Sequence, residues 1–201
     1  MKKLNLQFKF TKIDKGCLLA CLEMVLRFYK KPIAAKDLAK KLSVRKFGYD
    51  ILEVADYLIK QGFKIEIGGF DPDIFKTRKA NFTLEDLKNI DPKKLTKYPR
   101  QDLRELIKFA KKYPNQLSVG YKKLDFLKQQ LDKNLPIIVN LEIKTYTGDK
   151  TDNSIHSVIV AGYDKDDILV MDPISEKIRV DKKKFAKAWF NAVQYYLVIK
   201  K

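Results

Sequence analysis

The segment HSVIVAGYDKDDILVMDP, residues 156–173, reads as two apolar strand candidates, HSVIVAGYD and DILVMDP, joined through the polar turn YDKDD. A connection this short makes the two strands antiparallel neighbours. The end of the second strand then returns beside the start of the first, which brings Asp172 next to His156. With the period of two along a strand, His156, Val158 and Val160 share one face. His156 is the only histidine of the chain. Each residue has a plain structural use, His156 as a hydrogen-bonded strand end and Asp172 as a turn cap before Pro173. Together they also satisfy a chemical requirement, because a carboxylate beside an imidazole can hold its Nδ1–H and orient the ring.

Working outward, EKIRV is a third strand candidate, DKKKFAKAWF a helix and QYYLVI a last strand. On the other side, Lys122 to Lys133 is an amphipathic helix, PIIVNLE a buried strand, and Thr145 to Asn153 a polar loop. Nearer the start, Leu4 to Phe10 reads as a short extended strand. Asp14 is placed to N-cap a helix to about Tyr29, closed by Lys31 and Pro32. Ala35 to Leu42 is a short helix. Ile51 to Lys60 is another, with Ile51, Val54, Ala55 and Leu58 on one face and Gly62 as its stop. FKIEI alternates as a strand. Asp71 to Asn115 differs: it is charged, carries Pro72, Pro92, Pro99 and Pro114, and holds two helix patterns, TLEDLKNI and residues 101–112. This segment, 71–115, is expected to be a helical insertion within a single domain, 1–201. Helices first, then a mostly antiparallel sheet, is the α+β class.

The stretch DKGCLLACLEMVLRFY, Asp14 to Tyr29, holds both cysteines, four residues apart. Their Cβ atoms share a helix face but are too far apart for good disulfide geometry. Structural zinc takes about four ligands, and two cysteines with one histidine fall short, so no metal and no cofactor is expected. In the first turn of a helix, backbone N–H groups and the helix dipole favour an anionic sulfur, which lowers a thiol's pKa and makes it a nucleophile. Cys17 occupies such a place. Cys21 lies one turn deeper, among Leu18, Leu22 and Val25, where a small packed thiol is expected. Position alone leaves Cys17 open between a buried structural thiol and a nucleophile.

A net charge of +17 and pI ≈ 9.7 attract anions: nucleic acid, anionic lipid or acidic peptides. The lysines are spread along the chain, as on a solvated surface, rather than gathered in one block. Phe70, Phe75, Phe82 and Tyr98 interleave with basic residues in the insertion, so a stacking platform for nucleic acid is an alternative use, though not the favoured one. No apolar run approaches the ~20 residues needed to span a bilayer. The opening MKKLNLQFKF alternates and lacks a signal-type apolar stretch. A cytoplasmic protein with reduced thiols is the expectation.

CLLACLEMVLRFYKKPIAAKDLAKKL resembles the opening of the bacteriocin-processing, double-glycine peptidase family of papain-like cysteine proteases. Cys17, Ala20, Cys21, Leu22, Met24, Leu26, Phe28 and Tyr29 match its pattern in register. HSVIVAGYDKDDILVMDP is similar to that family's histidine-to-aspartate block. ILEVADYLIKQGFKIEI and FLKQQLDKNLPIIVNL resemble its middle helix–strand units, and FAKAWF its closing helix. The resemblance spans nearly the whole chain apart from residues 71–115. It implies a papain-like fold, a peptide or protein substrate, Cys17 as nucleophile, His156 as general base and acid, and Asp172 as the residue that orients it. Two positions depart from the pattern. Leu18 and Leu19 stand where the family has Gly-Pro, and Thr11 stands where it has the glutamine whose amide donates to the oxyanion. Thr11 is thus a weak oxyanion donor at best, and a catalytically impaired relative serving as a peptide-binding module is the rival reading.

Overall fold

The computed structural model describes residues 1–10, 12–45, 48–69, 100–118 and 122–200. The oxyanion expectation at Thr11, the TLEDLKNI helix and the aromatics Phe70, Phe75, Phe82 and Tyr98 lie outside the described residues.

The elements follow in the order β1 (Lys2–Lys3), α1 (Cys17–Phe28), α2 (Ala35–Ala39), β2 (Val44–Arg45), β3 (Gly48–Tyr49), α3 (Ile51–Lys60), β4 (Lys64–Gly68), α4 (Arg100–Lys112), β5 (Leu117–Ser118), α5 (Leu124–Asp132), β6 (Ile137–Glu142), α6 (Ile143–Thr147), β7 (Ile155–Tyr163), β8 (Asp167–Asp172), β9 (Glu176–Asp181), α7 (Lys182–Asn191) and β10 (Tyr196–Lys200). Among the described residues the main sheet runs β5-β4-β10-β6-β7-β8-β9, with β1 added beside β7. Its pairs are antiparallel except β4 with β5. This is the expected α+β architecture.

Strand alternation divides the core between the two sheet faces. Ile138, Ile159, Met171, Leu197 and Ile199 pack under α1, α2 and α3. Ile137, Val139, Val158, Val160, Val170 and Val198 pack under α5 and α7, with Phe185 and Trp189 filling the layer. α1 is buried along most of its length, and its one buried charge is compensated: Glu23 accepts from Arg27 Nε at 3.0 Å and from the backbone N–H of Ala35, the first residue of α2, at 2.8 Å. Asp50 caps α3 by accepting from Leu52 and Glu53 N–H groups, and Asp181 caps α7 through Lys183 and Lys184.

Three local expectations are corrected. Asp14 does not cap α1. The N-cap is Gly16, with no side-chain cap hydrogen bond, because a turn closed by Gly16 N–H to Ile13 O at 2.9 Å carries the chain into the helix two residues later. In the Leu4–Phe10 stretch no strand forms. Pairing is confined to β1, and Leu4 follows it with one further bond, its N–H to Ala161 O at 2.7 Å. The polar loop from Thr145 begins later than expected, since α6 continues to Thr147 and stops at Gly148 in the left-handed region (φ 94°). The 156–173 hairpin forms as expected, with one irregularity in its register. β7 and β8 pair Gly162 with Leu169 but Val160 with Val170, so Ala161 is an extra residue in β7. Continued past Ile159–Met171, the shifted register sets Asp172 opposite Val158, on the face of His156. Without the bulge Asp172 would stand opposite Ile159 and point to the other face. Gly162 beside the bulge admits β1, since a Cβ there would come within 2.4 Å of Lys2 O.

The segment 71–115 is described only from Arg100. There α4 packs on the body of the domain: Phe109 and Ala110 are buried, Phe109 in the core under α3. Asp56 of α3 accepts from Lys112 Nζ at 2.6 Å and from Tyr113 OH at 2.7 Å. Burial works against the Asp56 carboxylate, and its bonds from Lys112, Lys60 and Tyr113 overcome this and hold it well below the usual range. Phe109→Ala should therefore cost about 3–5 kcal/mol of stability, as for other buried phenylalanines. Urea unfolding checks this, and a loss under about 1 kcal/mol would mean that α4 is only laid on the surface.

Candidate active site

Cys17 is the first residue of α1 and is partly exposed. His156 is the second residue of β7 and Asp172 the last of β8; both are buried, at 5% and 2% exposure. The structure brings the three together. His156 Nε2 is 2.8 Å from Asp172 Oδ1, and the His156 ring also interacts electrostatically with the Cys17 sulfur. The carboxylate therefore faces Nε2, not Nδ1 as the hairpin alone suggested. Asp172 lies diagonally across from His156, and the far nitrogen of the ring makes that reach.

The carboxylate is held on every side. Oδ1 also accepts the backbone N–H groups of Ile174 at 2.8 Å and Ser175 at 3.3 Å, and Oδ2 accepts Tyr146 OH at 3.0 Å. Burial works against the Asp172 charge, and the bonds from His156, Ile174 and Tyr146 outweigh it, so its pKa lies below the ordinary value. Burial pulls His156 down, but Asp172 and the Cys17 sulfur push it up to about 9. Burial raises the Cys17 thiol, while its polar interactions with His156 and Ser157 and the imidazolium charge bring it below its usual value. These directions agree with one another: each charged form, thiolate and imidazolium, is favoured by the other.

Cys21 has the opposite character. It is fully buried, its Sγ donates to Ser157 O at 3.3 Å, and burial pushes its thiol well above the ordinary value. Leu18 and Leu19 turn inward and belong to the core under α1. Two neighbours were not anticipated. Ser157 adjoins the Cys17 sulfur and favours its charged form, while its hydroxyl donates to Asn140 Oδ1 at 2.8 Å. Tyr146 was hidden in what reads as a polar loop. Among the described residues no group of three or more potential ligands is gathered to hold a metal, and no helix is long and apolar enough to cross a membrane.

A family model described as the Peptidase_C39 like family matches residues 2–197. The chain belongs to the peptidase C39-like family. No curated protein sequence matches it. Among solved structures, this C39-like chain is similar to a double-glycine motif protease from an AMS/PCAT transporter in complex with the leader peptide. Identity is 15%, the TM-score 0.55, and the match covers 98% of this chain and 93% of the other. It is similar also to a Bacillus anthracis protein described as a C39-like peptidase, at 15% identity and TM-score 0.56 over 100% and 98% of the two chains. The peptidase domain of Streptococcus ComA, a bifunctional ABC transporter involved in a quorum-sensing pathway, aligns at 14% identity and TM-score 0.51 over 99% and 98%. At these identities the likeness carries the fold, and the C39-like assignment rests on the family model.

Proposed function

We propose that this protein hydrolyses a peptide bond through Cys17, His156 and Asp172. The observation that carries the reading is the His156 imidazole bonded at 2.8 Å to the buried Asp172 carboxylate, with the Cys17 sulfur at the start of α1 interacting with the same ring. The Cys17 thiolate attacks the carbonyl carbon, forming the C–S bond and an oxyanion, which faces the backbone N–H of Cys17 and, in a weaker role, Thr11. As the tetrahedral species collapses, the C–N bond breaks and His156 gives its proton to the leaving amine. The thioester is then attacked by water, whose proton His156 takes. The C–S bond breaks, releasing the acid and restoring the thiolate–imidazolium pair. Asp172 keeps the ring oriented and its charge balanced throughout. That one structural neighbour was solved with a leader peptide supports an extended peptide as substrate. The partial helical segment 71–115 is proposed to act in substrate choice. A cytoplasmic location remains part of the proposal.

The departures at Thr11, Leu18 and Leu19 keep the binding-module reading in play, and one experiment separates the two. Alkylation by iodoacetamide with peptide mapping should label Cys17 and leave Cys21 untouched. The labelling rate should reach its plateau below the ordinary thiol pKa, because the Cys17 pKa is lowered. Hydrolysis of a cleavable peptide should trace a bell: it falls on the acid side as the thiolate is protonated, and on the alkaline side near pH 9 as His156 loses the proton needed by the leaving amine. Labelling confined to Cys21, or a Cys17 that ionises like a free thiol, would exclude the nucleophile. A fast-reacting Cys17 with no hydrolysis in a broad peptide library would favour the binding module.

A further inference from the structure

We propose that Tyr146 is a positioning residue of the Cys17–His156–Asp172 assembly, fixing the plane of the Asp172 carboxylate so that Oδ1 stays on His156. The inference rests on the peptidase reading. Tyr146 lies on α6, the one-turn helix between β6 and the loop leading into β7, and is 6% exposed. Its hydroxyl donates to Oδ2 at 3.0 Å, whereas the other three donors on this carboxylate, His156 Nε2, Ile174 N–H and Ser175 N–H, all converge on Oδ1. Tyr146 is thus the partner that the structure shows for the second oxygen. A carboxylate held at one oxygen can swing about its Cβ–Cγ bond, and one held at both cannot. Oδ2 is buried with Asp172 at 2% exposure, so losing the phenol strands an acceptor away from water.

The consequence reaches the sulfur in three steps. Without Tyr146 OH the carboxylate rotates to find a donor or takes up a proton. Either change withdraws negative charge from His156 Nε2, and the imidazolium is less favoured. The thiolate then loses the cation that stabilises it. The ionisable groups interacting here are Cys17 and Cys21 from α1, His156 from β7, Asp172 from β8 and Tyr146 itself. The phenol is pushed well above its ordinary range by burial and by the Asp172 charge, so it stays a donor throughout the working pH range.

The test reads the pH profile of Cys17 alkylation by iodoacetamide in the intact chain, with unfolding followed separately. Tyr146→Phe should raise the midpoint by about one pH unit and lower the rate below the midpoint about tenfold. Tyr29→Phe is the matched control: it removes another buried hydroxyl, bonded to Ile199 O at 2.6 Å, and should cost stability without moving the profile. In an Asp172→Asn background, Tyr146→Phe should add less than about a twofold change, since its effect passes through the carboxylate. Should the Phe variant fold poorly, 3-fluorotyrosine at position 146 keeps the hydroxyl, and its fluorine resonance should follow the titration of His156. A depressed wild-type midpoint that Tyr146→Phe leaves in place, one that it lowers, or a fluorine signal indifferent to pH overturns the role of Tyr146 alone. A wild-type Cys17 that ionises like a free thiol overturns it together with the peptidase reading.

Discussion

Cys17→Ala should abolish hydrolysis of a cleavable peptide, by about 10⁴-fold or more, with little change in the unfolding midpoint. The expected split follows from where the sulfur lies. Cys17 is partly exposed at the start of α1, so trimming it opens no cavity, and its partners His156 and Ser157 keep other hydrogen bonds, to Asp172 and Asn140. What is lost is the atom that forms the thioester. Cys21→Ala should behave in reverse. That thiol is fully buried and bonded to Ser157 O, so removing it should cost about 1–2 kcal/mol while hydrolysis persists. Assaying both variants on the same peptide, beside urea unfolding, checks the assignment. Hydrolysis that survives Cys17→Ala, or that is lost equally in both, would sink the thioester route whatever the fold.

How much of this could be read from the chain differs from residue to residue. The meeting of His156 and Asp172 was legible because two apolar runs joined by a polar turn have few ways to pair. The bulge that makes the meeting work was not. An extra residue at Ala161 leaves no mark in hydrophobic alternation, and it is stabilised by the distant N–H of Leu4 and by the absence of a Cβ at Gly162. Cys17 was legible as a first-turn residue although the cap was misplaced, since Gly16 offers no side chain from which to read one. Tyr146 escaped because its neighbours Lys144, Thr145, Thr147 and Gly148 read as solvated loop, and a five-residue helix is too short to show a period. The choice of Nε2 over Nδ1 depends on side-chain reach, which the pattern of residues does not encode. The helix ending at Lys112 was visible by its spacing, but the burial of Phe109 that ties it to α3 is a tertiary fact.

Asp172→Asn should lower hydrolysis by about 10²–10⁴-fold while the fold is retained, and Asp172→Ala should lower both. The donors around the carboxylate dictate how asparagine must sit. The Oδ1 position receives two backbone N–H groups, from Ile174 and Ser175, so the amide oxygen has to stay there and the amide nitrogen turns toward Tyr146. A tyrosine hydroxyl can accept as well as donate, so that contact survives with its direction reversed. Geometry is therefore kept and charge is lost. His156, held up to about 9 by Asp172 and Cys17, should fall toward the ordinary histidine value, and the Cys17 thiol should rise as its cation fades. Alanine removes the acceptors as well, leaving Ile174 N–H, Ser175 N–H and Tyr146 OH without their partner, at a cost of about 2–5 kcal/mol. Because the chain has a single histidine, its imidazole resonances titrate without ambiguity. Comparing that titration with peptide hydrolysis in wild type, Asp172→Asn and Asp172→Ala separates orientation from charge. If asparagine leaves both the His156 titration and the rate where they were, Asp172 is a turn cap before Pro173 and the imidazole works without it.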